Sequence, residues 1–94
     1  MLVNVYATLR QVVGAKTVSL VLPHGADVQC LLDALLSRFP ALRSHLFSPA
    51  GGLYPHVHVF INGRDVQYLP LGLTTPLGPD DNVSIFPAVG GGAA

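Results

Sequence analysis

Asp27-Val28-Gln29-Cys30-Leu31-Leu32-Asp33-Ala34-Leu35-Leu36-Ser37-Arg38-Phe39 is the stretch on which the fold turns. Val28, Leu31, Leu32, Leu35, Leu36 and Phe39 recur at the three- and four-residue steps that gather apolar side chains on one face of an α-helix. Gln29, Asp33, Ser37 and Arg38 take the other face. The Asp27 carboxylate stands where it can accept from the free N–H groups of a first helical turn. Pro40 disfavours helical geometry at Phe39. The spacing therefore predicts a helix that begins after Asp27 and stops at Phe39.

On either side the pattern alternates instead. Val3, Val5, Ala7 and Leu9 share one side of an extended segment, with Leu2, Asn4, Tyr6 and Thr8 on the other. After Gly14-Ala15-Lys16 a second alternation sets Val18, Leu20 and Leu22 against Thr17, Ser19 and Val21. Two such strands joined by a brief turn read as a hairpin, which Pro23-His24-Gly25 ends. Beyond the helix, residues 43–55 are rich in Ser, Pro and Gly and read as a loop. His56-Val57-His58-Val59-Phe60-Ile61 is a strand with Val57, Val59 and Ile61 on one face, and Asn62-Gly63 is a tight-turn signal. Leu69-Pro70-Leu71-Gly72-Leu73 has room only for a very short strand or a turn. Gly78-Pro79-Asp80-Asp81-Asn82 turns the chain into a last strand, Val83-Ser84-Ile85-Phe86. The predicted order is strand, strand, helix, strand, short strand, strand.

Composition excludes several classes. Half of the 94 residues are apolar and only 11% are charged, against about 25% in ordinary globular domains. With a mean hydropathy of +0.51, part of the apolar surface is expected to await a partner. Five basic and five acidic residues cancel, and the basic ones are scattered, which argues against nucleic acid. No apolar run approaches the ~18 residues of a membrane span. The N-terminus does not read as a signal peptide, and a lone cysteine, Cys30, excludes an internal disulfide. A cytoplasmic protein is the expectation.

The element order, together with three motifs, resembles a known family. The motifs are Ala7-Thr8-Leu9-Arg10 with Val13-Gly14, the run Phe60-Ile61-Asn62-Gly63-Arg64-Asp65-Val66, and Leu77 followed by residues 78–89 running straight into glycines. The chain is similar over essentially its whole length to the MoaD/ThiS sulfur carriers. These include the small subunit of molybdopterin synthase and the cysteine-synthesis carrier. The resemblance implies an α+β, ubiquitin-like β-grasp fold, with one main helix across a mixed sheet of four to five strands. Residues 1–89 would form the domain and residues 90–94, Gly90-Gly91-Gly92-Ala93-Ala94, a flexible glycine-rich tail. It also implies a carrier rather than an enzyme. In the family an E1-like enzyme, using ATP and magnesium, adenylates the C-terminal glycine carboxylate. The carboxylate becomes a thiocarboxylate, and an acceptor enzyme takes the sulfur.

Glycine suits that role because it has no Cβ to obstruct a narrow channel or a nucleophile approaching its carbonyl. Residues 89–92, extended, reach about 13 Å. Gly92 is the expected reactive residue. The chain departs from the family in continuing with Ala93-Ala94. A peptidase that trims them, a partner that tolerates alanine, and a chain that no longer transfers sulfur are all open readings. Two rival functions share the fold: a protein modifier joined to lysines through the same glycine, and an interaction module with an idle tail. The acceptor (molybdopterin, cysteine, thiamine or tRNA thiolation) is not legible.

Partner contacts are expected at Phe60 and Phe86, both out of phase with the core-facing residues of their strands. Leu69, Leu71, Leu73 and Leu77 either join that surface or close the base of the core, with Leu73 taken as a contact. Arg10 and Arg64 are candidates for polar rim contacts. His56 and His58, two apart on one strand, share a face and could hold a metal, but the plainer reading is solvent-facing strand residues. Cys30 reads as a small packing residue, and His24 and His45 as loop residues.

Overall fold

A computed structural model describes residues 1–87. In chain order the elements are β1 (Leu2–Val5), α1 (Thr8–Val13), β2 (Thr17–Ser19), α2 (Val28–Arg38), α3 (Arg43–Leu46), β3 (Val57–Ile61), β4 (Arg64–Asp65) and β5 (Val83–Pro87). Single 3₁₀ turns lie at Pro40–Leu42, Val66–Tyr68 and Gly72–Thr74. The sheet order is β2-β1-β5-β3-β4. The first and last strands are parallel neighbours, and the other pairs are antiparallel. This is the β-grasp arrangement.

Helix α2 forms where the spacing placed it. Asp27 caps it by accepting the Cys30 N–H at 2.9 Å, and Phe39 ends it. Val28, Leu31, Leu32 and Leu35 are fully buried. They lie over a floor of Val3, Val5, Val57, Val59, Ile61, Val83 and Ile85, one residue in two along three strands. Each fully buried Val or Leu contributes about 1.5–3 kcal/mol of transfer free energy, so this seam dominates folding. At Asn62-Gly63 both residues have positive φ, 52° and 84°. Such angles make a two-residue hairpin loop that matches the twist of the flanking strands. The turn is fastened to the start of β5, since Asn62 Nδ2 donates to Asp81 Oδ1 at 3.0 Å and Asn62 Oδ1 accepts the Asn82 N–H at 2.8 Å.

The structure corrects the sequence reading in several places. The first strand ends at Val5, and residues 8–13 are helical rather than extended. Leu9 is buried as alternation requires, but from a helix, while Ala7 is exposed and turns the chain at φ 54°. The second strand covers only Thr17–Ser19, leaving Leu20 buried and Leu22 half-buried beyond it. The segment 43–55 is not wholly loop: Arg43–Leu46 is a helical turn, and Phe47 bridges Leu53. The short strand is Arg64–Asp65, and residues 69–73 hold no strand. Cys30 is exposed, so it does not pack in the core. The tail expected over residues 90–94 lies outside the described residues.

Candidate functional site

The strand residues that alternate with the core lie on the opposite, uncovered face of the sheet. Phe60 and Phe86 are adjacent there, with ring centroids 5.2 Å apart. Tyr6 meets Phe86 edge-on at 6.0 Å. His58 is paired with Phe86 by the β3–β5 register and sits 5.6 Å from its ring. Tyr6, Ala7, Phe60, Ser84, Phe86 and Pro87 line a shallow groove of about 470 Å³. Among the described residues no helix covers this face, and its rings are only half-buried or exposed. An uncovered aromatic group of this kind is what a docking surface needs, because rings bring large area at little conformational cost.

Polar groups at its margin are held in place. Arg10 donates from Nε to the Val5 carbonyl at 2.8 Å, and its guanidinium lies 4.8 Å from the centre of the Tyr6 ring. His58 Nδ1 is 2.8 Å from Asp65 Oδ2. Partial burial pushes the Asp65 carboxyl up, but the Gln67 backbone N–H, His58 and the Gln67 side chain together hold it below the usual carboxylate value.

The groove adjoins the root of the C-terminal segment. Strand β5 pairs with β1 only as far as Val5↔Ile85, where Tyr6 donates its N–H to the Ile85 carbonyl at 3.2 Å. Beyond Tyr6 the chain leaves the sheet for α1. On the other side Pro87, the last described residue, is paired with Val57. Pro87 has no N–H to offer, and Pro55, two residues before Val57, has none either. At Pro87 strand β5 has thus lost β1 but still faces Val57 of β3, and Pro87 itself lines the aromatic groove.

Of the expected contact residues, the structure brings Phe60, Phe86 and Arg10 to this face. Arg64 is exposed but pairs with Ile61 across the hairpin, and directly opposed residues point to the same side of a sheet. That places it on the helix side, at the edge. Leu73, with Leu69 and Leu77, packs against the core, whereas Leu71 is exposed. His56 stacks on Tyr54 at 5.1 Å instead of joining His58. Among the described residues, no three His, Cys, Asp or Glu side chains group to hold a metal. Gly90, Gly91 and Gly92 lie outside the described residues. Sequence reasoning passed over Tyr6 and the His58–Asp65 pair. A signal existed for the latter: a two-residue Asn62-Gly63 loop fixes Phe60↔Asp65, which leaves Asp65 one diagonal step from His58.

Comparison with known proteins identifies this architecture. The model of the ThiS family matches residues 3–92. The chain belongs to the ThiS family. Among ThiS-like relatives, small archaeal modifier protein 1 of Haloferax volcanii is 39% identical over 89 residues, covering 95% of this chain and 97% of the relative. Its crystal structure superposes with a TM-score of 0.82 at 35% identity, covering 97% of both chains. The sulfur carrier protein CysO of Mycobacterium tuberculosis is 31% identical over 81 residues, 84% of this chain and 83% of the relative. A BexX/CysO complex from Amycolatopsis orientalis aligns with a TM-score of 0.79 at 29% identity, covering 97% of this chain and 98% of that one. This ThiS-family chain is a ubiquitin-like carrier or modifier protein and not itself an enzyme.

Proposed function

We propose that this chain carries sulfur as a thiocarboxylate on Gly92. A carboxylate is a poor electrophile, so an E1-like enzyme first joins it to AMP, supplying the ATP and magnesium and releasing pyrophosphate. A sulfide-level nucleophile then displaces AMP to leave the thiocarboxylate, and an acceptor enzyme takes its sulfur for a biosynthetic product. A peptidase removes Ala93-Ala94 beforehand, all in the cytoplasm. Both partner enzymes dock on the Tyr6, Phe60 and Phe86 face while the terminal residues enter their active sites.

The observation that carries this reading is the place of Pro87. This last described residue lies beyond the pairing with β1, opposite Val57 of β3, and on the lip of the aromatic groove. The five residues 88–92 add a contour length of about 17 Å beyond that point, and the family match extends through Gly92 and no further. In a CysO relative the carrier is found in a complex with another protein, BexX, which supports docking as the working state. Among the described residues, no helix is long and apolar enough to cross a membrane.

Intact mass spectrometry of the untagged protein from its own host tests the proposal. The expected species lacks both alanines and has one oxygen replaced by sulfur at Gly92. A full-length, sulfur-free chain from cells that depend on the transfer would overturn it. The 39% identity to a named archaeal modifier favours one second reading, conjugation of the same glycine to lysines. Glycine remnants on lysines of other proteins, absent after deletion of this chain, would establish it.

A further inference from the structure

Two polar side chains of the aromatic face have no part yet assigned, Ser84 and His58, and of these the His58 imidazole is the one held by a side-chain hydrogen bond. Its Nδ1 meets Asp65 Oδ2 at 2.8 Å, while the Gln67 backbone N–H and side-chain amide each donate to the same carboxylate at 3.1 Å. An ionised carboxylate only accepts, so Nδ1 carries the hydrogen. Nε2 has no hydrogen-bond partner among the described residues, and none of their buried side-chain nitrogens or oxygens lacks one. Nε2 therefore reaches the surface. It does so from a ring whose neighbours are Phe86 and, at 6.4 Å, Phe60. The flanking β5 has no titratable residue. On the other flank stand Asp65, Arg64 and, in the following turn, Tyr68, while His56 precedes β3 on its own strand.

We propose that His58 is the specificity-determining contact of this face: Asp65 fixes the ring so that Nε2 is presented as a lone acceptor, and the adenylating enzyme brings an N–H or O–H donor to it. The inference rests on the docking reading above. Aromatic rings accept any apolar surface of suitable shape. An acceptor that loses its water on docking without gaining a donor carries a desolvation penalty, which rejects partners lacking that donor.

The test is ATP–pyrophosphate exchange by the adenylating enzyme of the same organism. The substrate is this chain in the form that mass spectrometry identifies. His58→Phe is expected to raise the KM for the carrier about tenfold, the size of one lost interfacial hydrogen bond, with kcat unchanged. His58→Gln, whose amide oxygen reaches the Nε2 position, restores most of it. Ring ¹⁵N spectra of the free protein at pH 8 show the Nδ1–H tautomer, and thermal melts confirm that each variant folds. An Nε2–H tautomer at pH 8 overturns the inference. An unchanged KM in His58→Phe does too, and if Phe86→Ala still raises KM the docking reading survives. Unchanged KM in both Phe60→Ala and Phe86→Ala removes the docking reading itself.

Discussion

Strands β3 and β5 are written in two interleaved sets of residues that meet opposite fates. Val57, Val59, Ile61, Val83 and Ile85 turn beneath α2 and are at most 7% exposed. His58, Phe60, Ser84 and Phe86 turn the other way and stay only half-buried among the described residues. Phe60 and Phe86 are as apolar as any residue of the first set, so hydrophobicity alone does not decide what becomes core. What decides is which face the helix crosses. Phe60 and Phe86 are apolar surplus to folding, and Phe86 sits next to Pro87, the last described residue.

The sharpest way to break this comparison is to truncate one residue from each set. Ile85→Ala, beneath α2 and fully buried, is expected to cost about 2–5 kcal/mol. That is much of the 5–15 kcal/mol available to a domain, and urea denaturation would read it. Phe86→Ala removes a larger side chain, yet it is expected to cost no more than about 1 kcal/mol in the same experiment, because the ring is only partly buried. Equal losses would mean that the aromatic face is a second core, and the division of labour would fail.

Acid titration gives the smallest effect. The Asp27 carboxyl is held below its usual value by the Cys30 N–H, Asp81 by the Gly78 N–H and Asn62, and Asp65 as described above. A carboxyl lowered in the folded state contributes stability that is complete above its unfolded value, about 3.9. That stability is lost as pH falls through the lowered value. Urea stability should therefore be insensitive to these groups from pH 8 to 5 and decline below pH 4. Asp81→Asn should make that decline shallower. An unaltered slope would count against the hydrogen bonds that tie Asp81 between the hairpin turn and β5.

The parts legible in the sequence were those set by local repetition. Helix α2 declares itself through six periodic apolar residues and an Asp27 cap, β3 and β5 through alternation, and the hairpin through Asn62-Gly63. Helix α1 was hidden because six residues hold too few repeats. Leu9 is buried whether the segment is extended or helical, and the decisive break is a positive φ at Ala7, a residue that seldom adopts one. The exposure of Phe60 and Phe86 followed from their phase. The sides taken by Arg64 and Leu73 did not, because an edge strand and a 3₁₀ turn set them. Tyr6 owes its place to the point where β1 stops.

The parallel pairing of β1 with β5 has a practical corollary. Two strands that run the same way at the centre of a sheet place the beginning of one and the finish of the other at opposite poles. The Met1 ammonium is engaged there, donating to the Leu20 carbonyl at 2.9 Å. A label or affinity handle fused ahead of Met1 would sacrifice that single bond, yet emerge far from Pro87 and the groove. Immobilised by such a handle, the protein would still offer its outgoing end to an incoming enzyme.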